Sequence, residues 1–133
     1  MDAGRLLHRL QYGREKQFKA ERLDTRLQLF NLRMLDALAD GATPEEFIAA
    51  RDEPFGDLRV TVIDDAGRVT FDNSAGSLPE TNHLDRPEVA EALARGTGFT
   101  IRRHSESTHR FYFYSAMRGD GLLLPSALPP PPA

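Results

Sequence analysis

A chain of 133 residues, 40% hydrophobic and with a formal net charge of −3, can bury one core and is too mildly acidic to present a nucleic-acid-binding surface. The absence of cysteine excludes disulfides, thiolate nucleophiles and cysteine-ligated zinc. No apolar run approaches the ~20 residues that cross a bilayer, and arginines interrupt the leucines of residues 1–10, so the chain as given is expected to be soluble without a signal-peptide core.

Residues 5–39 lack proline and are rich in Leu, Arg, Gln, Lys and Glu, which predicts one long helix. Leu23, Leu27, Phe30, Met34 and Leu38 fall on a single face of it. Such a helix runs about 50 Å at 1.5 Å per residue, against roughly 35 Å across a compact domain of this size, so part of it is expected to project. The projecting part is the basic N-terminal half, where Leu6, Leu10 and Phe18 are too sparse for a core face. Leu23, Leu27, Phe30 and Met34 are therefore candidates for pairing with a second copy. The helix could equally continue from a membrane span outside the chain, or its N-terminal half could be a frayed, solvated helix end.

Residues 40–42 break this helix, and Thr43-Pro44-Glu45-Glu46 has the form of a capping box opening a short second helix. The segment 52–57 is an acidic loop without the alternation of a calcium loop. It accounts for much of the imbalance in residues 41–80, which carry three Lys or Arg against nine Asp or Glu.

From Leu58 the hydrophobic period becomes two. Leu58, Val60 and Val62 alternate with Arg59, Thr61 and Ile63, a turn follows at residues 64–67, and Val69 and Phe71 continue a second strand, which together predict a hairpin. After a loop dense in turn formers, in which Asp72 is expected to bond backbone N–H groups, Asp85 reads as the N-cap of a helix. Pro87 lies in its first turn, Val89, Ala90, Leu93 and Ala94 form its buried face, and Gly96 stops it. Residues 99–104 and 111–117 are two further strands, and 122–128 a last one that Pro125 would place at a sheet edge or interrupt at that point. Residues 129–132 form a polyproline-like tail. The expected class is α+β: a five-stranded antiparallel sheet, helices packed on one side of it, and the division 1–40 (signalling helix), 41–128 (sheet domain) and 129–133 (tail).

The run Arg59-Val60-Thr61-Val62-Ile63-Asp64, the Gly67 turn, Asp72, and the block Asn82-His83-Leu84-Asp85-Arg86-Pro87-Glu88-Val89 carry a resemblance. Over roughly residues 10–128 the chain resembles the extracytoplasmic PAS-like (Cache-related) sensor domain of bacterial membrane histidine kinases, of the phosphate-regulon type and similar ones from Bacteroides. The resemblance implies a periplasmic input domain between two membrane helices of an inner-membrane protein. Its cytoplasmic part would autophosphorylate on histidine and pass phosphate to a response regulator. No nucleotide lid or phosphoacceptor helix is present in these residues, so the chain itself is expected to have no enzymatic activity and no cofactor.

A sensor needs a concave site with a few convergent polar groups. His83 and Arg86 on the connection, Arg102, Arg103 and Ser105 at the end of the third strand, and Tyr112 and Tyr114 sharing one face of the fourth are the candidates. The arginines suit an anionic ligand such as a carboxylate or phosphate. The four histidines have no metal-ligand spacing, and no serine lies in a nucleophile elbow. Two functions follow: a ligand-binding sensor domain, or a PAS-like dimerisation or protein-interaction module that binds no small molecule. Filling of the would-be pocket by Phe111, Phe113, Leu122 and Leu124 would favour the second.

Overall fold

The computed structural model describes the backbone of residues 3–51, 57–74, 82–104 and 111–129, and the side chains of 21–51, 57–74, 82–100 and 112–129. The elements are α1 (Ala3–Ala39), α2 (Pro44–Ala49), β1 (Arg59–Asp64), β2 (Val69–Asp72), α3 (Pro87–Arg95), β3 (Thr97–His104), β4 (Phe111–Arg118) and β5 (Leu122–Leu128). The acidic loop, the side chains of Leu6, Leu10 and Phe18, and the end of the proline tail lie outside the described residues. No described helix is long and apolar enough to cross a membrane.

The 37 residues of α1 end at Gly41, whose φ of +102° lets Ala42 N–H reach Ala37 O at 3.0 Å and Gly41 N–H reach Leu38 O at 3.1 Å. That pair of bonds is a Schellman stop. Thr43 then caps α2: its hydroxyl accepts from Glu46 N at 3.1 Å and donates to the Glu46 carboxylate at 3.0 Å. The glutamate closes the capping box on the hydroxyl.

The five strands form one antiparallel sheet in the order β2-β1-β5-β4-β3. β5 is thus the central strand, and of the edge position or interruption that its proline suggested the structure has the interruption. Pro125 is accommodated because the β4–β5 ladder stays continuous through Ala116↔Pro125, while the β1–β5 register skips from Val60↔Ser126 to Ile63↔Leu123. The missing N–H points at β1, and the pairing with β1 is interrupted there.

Helices cover both faces of the sheet, not one. Phe30 and Met34 of α1 pack on Val60, Val62 and Leu124, with Phe47 and Ile48 of α2 beside them; the Phe30 and Phe47 rings meet edge-on at 5.7 Å. On the opposite face Val89 and Ala92 of α3 pack on Ile63, Val69, Ala116 and Leu123. Gly98 permits this second contact: a Cβ there would overlap Glu88 O and come within 2.9 Å of Ala92 N.

α3 begins one residue later than the sequence suggests. Pro87 occupies the first helical position, which makes Arg86 the N-cap and leaves Asp85 exposed. The connection ahead of it is tied to the β1–β2 turn, where Asn82 Nδ2 donates to Ala66 O at 2.9 Å, Leu84 N donates to Asn82 Oδ1 at 2.8 Å, and His83 N donates to Gly67 O at 3.0 Å. In the same turn the N–H groups of Arg68 and Ala66 hold the Asp64 carboxyl below the usual range.

The upper part of the α1–sheet contact is polar. Gln28 Nε2 donates to Ala116 O at 3.1 Å, Asn31 Nδ2 donates to Ser115 O at 3.1 Å, and Ser115 Oγ donates to Asp24 Oδ1 at 2.7 Å. Burial pushes the Asp24 carboxyl above its ordinary value, the Ser115 hydrogen bond opposes this, and the nearby Glu91 charge adds to it.

Gly98→Ala must move backbone rather than a side-chain tip, so its loss in urea unfolding should reach the upper end of the ~1–3 kcal/mol of overpacking. Because Asp24 binds its proton more tightly folded than unfolded, its ionisation removes stability as pH rises from its unfolded pKa of 3.8 through the raised folded value. Asp24→Asn should therefore raise the melting temperature at neutral pH and lose that advantage in acid.

Candidate functional site

The sheet face that carries α3 has a second half, at the Arg59 end of β1. The registers Arg59↔Ala127, Tyr114↔Ala127 and Thr100↔Tyr114 place one residue from each of four strands in a single transverse row. Paired residues project to the same face, so Arg59, Ala127, Tyr114 and Thr100 stand side by side, with Tyr112 next along β4.

Arg59 is the centre of this row. Its Nη2 donates to Asp72 Oδ2 at 3.0 Å, and its Nη1 donates to the Tyr114 hydroxyl at 3.3 Å. The guanidinium thus reaches from β1 across β5 to β4, and the small, fully buried Ala127 leaves room for it to pass. The Tyr112 and Tyr114 rings meet edge-on at 5.9 Å. Arg59, Asp72, Tyr112 and Tyr114 are all buried. Burial works against the guanidinium charge, but the hydrogen bond to Asp72 and the charge of Asp72, together with the two tyrosines, hold the Arg59 pKa above its ordinary value.

Asp72 is also the link to the next segment of chain. Its other oxygen accepts from Ser74 N at 2.9 Å and from Ser74 Oγ at 2.8 Å. The backbone bonding expected of Asp72 is present, but the same carboxylate carries a buried ion pair as well. Asn73 extends the hairpin past the strand end, accepting from Val60 N at 2.7 Å and donating to Leu58 O at 2.9 Å.

Of the residues read from the sequence, Tyr112 and Tyr114 lie in this row. Arg103 is in register with Tyr112, because a bulge between Thr100 and Arg103 shifts the β3 ladder by one residue; Arg102 falls within that bulge. The side chains of Arg102 and Arg103, and Ser105 as a whole, lie outside the described residues. His83 is anchored at the opposite end of the hairpin, by Gly67, and Arg86 is the residue that opens α3.

Leu27, Phe30 and Met34 do not offer a pairing face: they are buried by the chain's own sheet, with Leu23 partly covered on the same side. A helical stripe of large apolar residues serves its own core first; on the other side of the described part of α1, Leu29 and Leu32 are exposed. Phe113, Leu122 and Leu124 likewise face α1 and not the tyrosine row, and Phe111 lies outside the described side chains.

Arg59 and Asp72 are the residues that sequence reasoning missed as a pair. Arg59 reads as the outward, polar position of an alternating strand, which holds only if that face meets water. The available signal was the hairpin itself, since Thr61↔Asp72 pairing brings Asp72 to the face of Arg59.

No protein-family profile matches the chain, and no curated protein matches it. Solved structures do. The ligand-binding domain of the Campylobacter jejuni chemoreceptor Tlp3, in complex with 4-methylisoleucine, is similar with a TM-score of 0.61 and 16% identity over 87% of this chain and 55% of that one. The ligand-binding domain of the Pseudomonas aeruginosa amino acid chemoreceptor PctB, in complex with L-Arg, is similar with a TM-score of 0.59 and 20% identity over 84% of this chain and 51% of that one. The chain has the Cache/PAS-like fold of these domains and spans about half of their length.

The buried pair can be tested by unfolding. Asp72→Ala, which leaves the Arg59 charge buried without its partner, should cost about 3–5 kcal/mol. Arg59→Met combined with Asp72→Leu should cost clearly less than that single change, as urea titrations of the three proteins would show.

Proposed function

We propose that the chain is an extracytoplasmic sensor domain that binds a small molecule on the tyrosine-bearing half of its sheet. The observation that carries this reading is the transverse row Arg59–Ala127–Tyr114–Thr100. It gathers a guanidinium, a carboxylate and hydroxyls on one sheet face, beyond the contacts of α3. The Arg59–Asp72 pair is charge-balanced, which suits a ligand with both donors and acceptors better than a bare phosphate. The similar solved domains hold 4-methylisoleucine and L-Arg, and an amino acid is the ligand class proposed here.

The finer reading is the periplasmic input domain of a two-component histidine kinase anchored in the inner membrane, without catalytic activity of its own. It rests on the block at 82–89, whose Asn82 clamps the connection to the β1–β2 turn. The second reading is the input domain of a chemoreceptor, favoured by the structural likeness. In either parent, occupancy of the row would act on the chain through Asp72 and Ser74.

A thermal-shift screen of the purified chain against amino acids, carboxylates, phosphate and sugars tests the proposal. An amino acid at 100 times its dissociation constant should add about 2.7 kcal/mol of stability, and Tyr114→Phe should diminish the effect. Flat curves across the screen would favour an interaction module that binds no small molecule.

A further inference from the structure

We infer that Thr100 is a ligand-contacting residue, an inference that rests on the sensor reading above. Its hydroxyl Oγ1 is buried and has no hydrogen-bond partner among the described residues. A valine would fill the same space without leaving a polar atom unpaired, so a threonine here carries a cost that the fold alone does not require.

Position gives the hydroxyl a use. Thr100 is in register with Tyr114, whose hydroxyl is held by Arg59, so it closes the row at the β3 end. Two residues earlier on the same face, Gly98 is pressed against the backbone of α3. Thr100 is therefore the next side chain on that face of the strand after the point of closest approach to the helix. The bulge that brings Arg103 opposite Tyr112 begins directly after it, a device that re-aims side chains beside binding sites. The other buried side-chain oxygens without a hydrogen-bond partner among the described residues, Asn31 Oδ1 and Ser126 Oγ, lie on the opposite face beneath α1.

A hydroxyl donates and accepts, so the group it would meet is a carboxylate, amide or hydroxyl of a small polar ligand, replacing the partner that the protein does not supply. Binding then recovers what the unpaired hydroxyl costs in the empty domain, and a stability penalty becomes selectivity for a ligand carrying that group.

The test compares the wild-type chain with Thr100→Val and Thr100→Ser, by thermal melting alone and with each proteinogenic L-amino acid in turn. Expected without ligand is a higher melting temperature for Thr100→Val. With the amino acid that stabilises the wild type, Thr100→Val should bind about tenfold more weakly or worse, while Thr100→Ser keeps the affinity. A ligand-free Thr100→Val less stable than the wild type would mean that the hydroxyl is already satisfied, and would overturn the assignment. Equal affinities for Thr100→Val and wild type would overturn it while leaving the sensor reading intact. No stabilisation of the wild type by any amino acid would remove the amino-acid reading and this assignment together.

Discussion

Double-sided burial of the sheet is the constraint from which the other features follow. With α1 and α2 on one face and α3 over part of the other, β1 is buried along most of its length, and its polar residues have to be satisfied inside the protein. Arg59 and Asp72 satisfy each other, Tyr114 takes a second guanidinium donor, and Ser74 takes the remaining carboxylate oxygen. Beneath α1 the same demand is met by Asn31 and Gln28, whose amides serve strand carbonyls. A buried ion pair contributes little net stability compared with apolar packing, but it penalises arrangements in which either charge is left alone. Its role is to fix which residues face one another.

The two helix layers hold the sheet in different ways. α3 approaches it through small residues, Gly98 below and Ala92 above, so that backbone nearly touches backbone. α1 is held by large apolar side chains at one end and by hydrogen bonds at the other. Hydrogen bonds to carbonyls can be exchanged at modest net cost, whereas a helix seated on a glycine has one position. If the sheet moves against one of its helices, α1 is the helix whose contacts allow it.

Much of this architecture was legible in the sequence, for reasons that can be named. The capping box at Thr43, the turn at residues 64–67, the stop at Gly96 and the change of hydrophobic period at Leu58 are local signals, and local signals fix elements. Strand order is not local. Pro125 indicated that one ladder would be interrupted, and it is, but nothing near Pro125 says that the opposite ladder is intact and the strand central. Alternation in β1 was visible too, yet alternation does not reveal whether the polar side will be covered; that depends on parts of the chain remote from β1. The tyrosines were found because they share a strand face, and Arg59 was missed because its partner lies on another strand.

The two edges of the sheet deserve the same physical reading as its centre. β2 is only four residues long and ends at Asp72, and β3 is broken by a bulge whose residues include Arg102. Short, bulged and charged edges are poor templates for another strand. The sheet is thereby protected from growing by strand addition, whether into aggregates or onto an extended peptide. Any second chain that meets this domain would have to approach through its helices or connections, which keeps assembly and the hydrogen-bonded framework of the fold on separate surfaces.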